Sequence, residues 1–111
     1  MVKALILSLA FPLLVNAQVA SGYKTLLTCK GVKNPLLRVE IVDRKEAGKF
    51  ASVFLNEKLV GANSVGVSRN SKTFFYDGRE ISISIPLGMI NNPIFPAFLH
   101  FNGKDELLCS R

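Results

Sequence analysis

Tyr23-Lys24-Thr25-Leu26-Leu27-Thr28-Cys29-Lys30 alternates along its length: Tyr23, Thr25, Leu27 and Cys29 share one face, and Lys24, Thr28 and Lys30 share the other. Period two predicts a half-buried strand. Its cysteine has one counterpart in the whole chain, Cys109, at the far end of the region expected to fold. In a chain led by an export signal, two cysteines most simply form one disulfide. A bridge closing a loop of roughly 80 residues contributes about 4.5 kcal/mol in the chain-entropy model. That is a large share of the ~5–15 kcal/mol typical of a small domain. A metal site would need further ligands, and His100 is the single histidine.

Between the cysteines the chain reads as short strands and turns. At 36–44, Leu37, Val39 and Ile41 face one way, while Arg38, Glu40 and Arg44 face the other. The segment 45–49 contains Gly48 and reads as a hairpin connection. At 50–56 both faces are apolar: Phe50 and Phe54 on one, Ala51, Val53 and Leu55 on the other. Such a strand is either covered twice or exposes two aromatics. The chain turns at 56–58, and 59–67 is weak as a strand because Gly61 and Gly66 interrupt it, which suggests bulges or bends. Asp77-Gly78 predicts a type I′ hairpin turn. In the returning strand, Ile81, Ile83 and Ile85 point inward and Glu80, Ser82 and Ser84 outward. The segment 86–96, with three prolines, breaks the pattern, and Asn102-Gly103 predicts a last hairpin joining 97–101 to 106–109. No helical periodicity is sustained outside the leader.

Seven or eight short strands in neighbouring hairpins predict an all-β fold, a small antiparallel β-barrel with one disulfide. A β-sandwich is the alternative. In a barrel, the strands carrying Cys29 and Cys109 would meet at the closure seam.

Residues 1–17 read as a cleavable signal peptide. Lys3 supplies the positive start, 4–15 is apolar apart from Ser8, and Val15-Asn16-Ala17 fits a small-x-small cleavage site. The apolar stretch is too short to cross ~30 Å of hydrocarbon as a helix. The expected mature chain is a single small all-β domain over 18–111, secreted or periplasmic, with no transmembrane segment after signal removal. Of 14 basic and 8 acidic residues, loss of Lys3 leaves 13 and 8, a net charge of +5. Residues 24–58 hold eight of these basic side chains against four acidic ones.

Catalysis needs a constellation that this sequence lacks. One histidine makes no metal cluster, and the carboxylates Glu40, Asp43 and Glu46 lie among Arg38, Arg44 and Lys45. Neither a phosphate-cradling glycine loop nor a nucleophile elbow occurs. The chain is therefore expected to be non-catalytic, without metal or cofactor, and to work by binding at the cell envelope or outside the cell.

Two surfaces are candidates for that binding. The first is a basic face of Lys24, Lys30, Arg38, Arg44, Lys45 and Lys49, with Lys33 nearby, suited to an acidic protein or an anionic envelope polymer. Its bland counterpart is a solubilising exterior whose lysines guard strand edges. The second is the apolar loop 86–96, with Leu87, Met89, Ile90, Ile94 and Phe95. This loop either enters a partner's cleft, as in a protein inhibitor of a secreted hydrolase, or folds back to plug one end of the barrel. Phe50, Phe54, Phe74 and Phe75 raise a third option, a structural component that self-associates. Nucleic acid is not an expected partner. In outline, a leader, about a hundred residues, an all-β pattern and one disulfide are similar to small periplasmic barrels that inhibit lysozyme. No motif carries that likeness residue by residue. The positive charge argues against a strongly basic lysozyme as the target, and no functional residue is transferred from the likeness.

Overall fold

A computed structural model describes residues 23–111. The expected signal peptide and the segment 18–22 lie outside the described residues. Eight strands follow one another: β1 (Lys24–Gly31), β2 (Leu37–Asp43), β3 (Lys49–Leu55), β4 (Lys58–Arg69), β5 (Thr73–Gly78), β6 (Ser82–Pro86), β7 (Ile94–His100) and β8 (Lys104–Ser110). Each pairs antiparallel with the next, and β8 pairs with β1, so the sheet closes into an up-and-down barrel rather than a sandwich. Among the described residues, no helix is long and apolar enough to cross a membrane.

Closure follows from the alternation. Leu37, Val39 and Ile41 on β2, Ile83 and Ile85 on β6, Ala97 and Leu99 on β7 and Leu107 on β8 are all buried in one interior cluster. Every fully buried side chain among the described residues is apolar or a cysteine, so the barrel is a packed core and its polar residues face outward. This is the reverse of the apolar-out pattern of a barrel that spans a bilayer. Cys29 and Cys109 stand directly opposite each other across the β1–β8 seam and are bonded, at a sequence separation of 80.

Two turns differ from expectation. Asp77-Gly78 is not the centre of a type I′ turn: Gly78 lies within β5, its φ is not positive, and its N–H donates to Ile81 O across a two-residue turn of Arg79 and Glu80. Gly78 is needed for a different reason. A Cβ there would stand 2.7 Å from both Ile81 O and Ser64 O, two backbone atoms that cannot swing aside. The turn with positive φ at both central residues is instead Asn56-Glu57, at 52° and 65°, between the paired residues Leu55 and Lys58. At the last hairpin Asn102 and Gly103 both have positive φ, within a three-residue loop between the partners His100 and Lys104.

The segment that reads weakest as a strand is the longest, β4. It works as a corner. Its first half pairs with β3 and its second half, from Val65, with β5, while Val60 is an extra residue in the β3 register. The glycines thus mark a bent strand, and Gly61 lies under the ring of Phe101.

A mouth beside the seam

The seam is incomplete at one end. β8 reaches only to Ser110, which pairs with Thr28, so Lys24 to Leu27 run on past it with β2 as their neighbour. Leu26 is an extra residue there and is turned partly out of the wall. Beside this overhang the barrel opens into a cavity of about 400 Å³. Leu27, Ile85 and Phe95 form its apolar floor, and Tyr76 stands in its wall. Ile90, from the loop between β6 and β7, covers one side, and Lys24 and Arg111 stand at the rim.

Two contacts fix Arg111. Its guanidinium lies over the Phe95 ring, 5.1 Å from the centroid, and it donates to the carbonyl of Ile90. The side chain thus bridges β8, β7 and the loop. Burial pushes the Tyr76 phenol above its usual pKa, and the nearby Arg111 charge works against that shift without cancelling it. Tyr76 also meets Phe74 edge-on at 5.1 Å.

The apolar loop of the sequence divides between core and surface. Phe95 is fully buried and belongs to β7, so it is core and unavailable to a partner in the folded barrel. Ile90 packs on the core and Leu87 is half-buried, whereas Met89 and Ile94 are exposed at 43% and 59%. The loop therefore caps part of the mouth with Ile90, while Met89 and, at the start of β7, Ile94 face outward.

The basic set divides into two groups, Lys30 with Arg38, and Lys24, Arg44, Lys45 and Lys49 around Asp43. Lys30 lies beside Arg38 in the β1–β2 register, on the outer wall. Arg38 stacks 4.1 Å from the centroid of Phe54, its cross-strand partner, and is neutralised by Glu40 and Glu57. Arg44 stacks on Phe50 at the same distance. The two outward aromatics of β3 are thus covered by arginines, Arg38 on β2 and Arg44 just after it, an arrangement that is invisible until the register is known. Lys45 is exposed in the β2–β3 turn, its N–H donating to Asp43 Oδ1 at 2.9 Å, and Asp43 also stands opposite Lys24 and Lys49. Lys33 is exposed in the loop after β1.

His100 is on the outer wall, with Nε2 3.5 Å from Ser84 Oγ and both side chains open to solvent. Among the described residues, no group of three histidine, cysteine or carboxylate side chains is placed to hold a metal ion. Comparison with known proteins found no matching family model, no matching curated sequence and no matching solved structure.

Proposed function

We propose that this chain is a non-catalytic binding protein of the cell envelope or extracellular space, and that it takes a small ligand in the barrel mouth. One observation carries this reading: an apolar cavity of about 400 Å³ beside the seam, with a few polar groups converging on it. Eight-stranded barrels are wide enough to hold one small ligand, and binding cavities of ~300–1,000 Å³ are the usual size. The disulfide and the leader-like start support the exported location. The exposed Ser84–His100 pair supports the non-catalytic part. A nucleophile and its base need an orienting third group, and no carboxylate bonds to His100 among the described residues.

The test is titration of the oxidised protein with the neutral fluorophore 1-aminoanthracene. One binding site per chain is expected, and it is lost in Ile90→Trp, where the larger side chain fills the mouth. Absence of binding by the parent protein, or undiminished binding by a folded Ile90→Trp, overturns the assignment.

A second reading, a protein inhibitor of a secreted hydrolase, is favoured by the exposure of Met89 and Ile94 on the 86–96 loop. A panel of secreted hydrolases assayed with the protein and with Met89→Ala/Ile94→Ala tests it. Inhibition that the double variant loses supports this reading, and no inhibition removes it.

A further inference from the structure

We infer that the occupant of the mouth is a single-chain amphipath with an anionic head, its chain against Leu26 and Ile90 above the buried floor of Leu27, Ile85 and Phe95, and its head on Arg111 and Lys24. This rests on the mouth being the ligand site. Leu26 and Ile90 present accessible apolar surface above a floor of buried apolar side chains, so the cavity rewards a hydrocarbon segment and penalises a buried polar one. The charged side chains at the rim are both positive, and no acidic side chain is among the described residues lining the cavity.

Arg111 is the stronger of the two. Its contacts with Phe95 and the Ile90 carbonyl hold the guanidinium in place and leave most of its five donors for a ligand. A planar guanidinium matches a carboxylate or a related oxyanion in two-point geometry, and little side-chain freedom is left to lose on binding. Lys24 is a looser point charge and shares its position with Asp43, its register partner. The Tyr76 hydroxyl adds a donor in the wall.

Two other clefts lack this combination. The one at the opposite end, about 210 Å³, mixes Lys33 and Lys104 with Asp105 and Glu106 and has no buried apolar floor. The groove of about 190 Å³ over Ile94 and Leu108 lies on the outer wall, with Thr28, Lys30 and Ser110 along its side.

The decisive experiment displaces 1-aminoanthracene with decanoate, decanol and decyltrimethylammonium, each below its micelle-forming concentration. Arms with the folded double variant Lys24→Gln/Arg111→Gln and with phosphatidylglycerol vesicles complete it. Decanoate is expected to bind about tenfold or more tightly than decanol, and the ammonium more weakly than both. The double variant is expected to bind decanoate only as well as decanol, with decanol unchanged. Equal binding of decanoate and decanol by the parent protein, or a double variant that keeps the preference, overturns the inference. So does binding to anionic vesicles without binding to decanoate, which would assign the rim charges to a membrane surface. If the fluorophore binds and none of the three chains displaces it, the head-and-chain assignment fails while the mouth stands as a site. If the fluorophore itself does not bind, both fall.

Discussion

Around the Gly78 turn at one end of the barrel the chain is packed so closely that an added methyl group has no room, whereas in the loop beside the mouth an extra side chain would meet nothing. A Cβ on Gly78 would collide with two backbone carbonyls, and one on Gly61 would lie 2.7 Å from the Phe101 ring. Gly88, in the loop beside the mouth, has no neighbour within 4 Å of that position. The far end is built from tight turns, and Arg79 N–H reaches across to Asn63 Oδ1 on β4 at 3.1 Å. The mouth is built from a strand overhang, a loop and an arginine that bridges them. Tight packing is thus local to the Gly78 turn, since Gly103 at the same end also has open space beside it, and it leaves the mouth loop free to stay open.

The largest expected effect breaks the contrast by loosening what both ends share. The Cys29–Cys109 bridge lies one residue pair from where the seam ends at the mouth. Replacing both cysteines by serine should lower unfolding free energy by about 2–5 kcal/mol in urea titrations. Amide exchange should rise most around 24–29 and 108–110, and least at the Gly78–Ile81 turn. A uniform rise along all eight strands would mean that the seam stabilises the barrel globally and that the two ends are not distinct. A substitution series sharpens the comparison at smaller scale. Gly78→Ala should cost about 1–3 kcal/mol, since backbone must move. Gly61→Ala should cost less, because the Phe101 ring can turn aside. Gly88→Ala should lie within about 0.5 kcal/mol of the parent, or slightly above it in stability. Equal losses at all three sites would remove the distinction between the ends.

The far end was more legible in sequence than the mouth, and the reason is physical. Alternation of Leu37, Val39 and Ile41, and of Ile81, Ile83 and Ile85, reports an inward face directly, because period two has no other common cause in a half-buried strand. Placing Cys29 and Cys109 on strands at the two ends of such a meander made their meeting at a seam a geometric consequence. Gly78 was visible as a turn residue but for a different reason, since its lack of a side chain matters here and its freedom in φ does not. The strand β4 was obscured because a corner strand changes partner midway, which blurs the pattern that periodicity detects. The mouth left no linear trace. Lys24, Leu27, Tyr76, Ile85, Phe95 and Arg111 come from four strands and the chain beyond β8, and only the register brings them together. The single hint was the apolar segment 86–96, whose Ile90 and Phe95 proved to be lining rather than an outward probe.

The smallest effect concerns the boundary between packed core and open mouth, where Tyr76 stands. Burial raises its pKa in the folded barrel, so the native state holds the phenolic proton more tightly than the unfolded chain does. The stability tied to this proton is fully present below the unfolded value of about 10 and is lost as pH rises through the higher folded value. Tyr76→Phe removes the titration while keeping the ring that packs on Phe74. Every other side chain is the same in both proteins, so the difference between the two isolates the phenol. Urea midpoints at pH 8 and pH 11 should therefore converge, or cross in favour of the variant, because the parent loses more than Tyr76→Phe does. Parallel losses would mean that water reaches the hydroxyl as freely in the barrel as in the unfolded chain. The mouth would then extend deeper than Tyr76, and the packed part of the barrel would be correspondingly shorter.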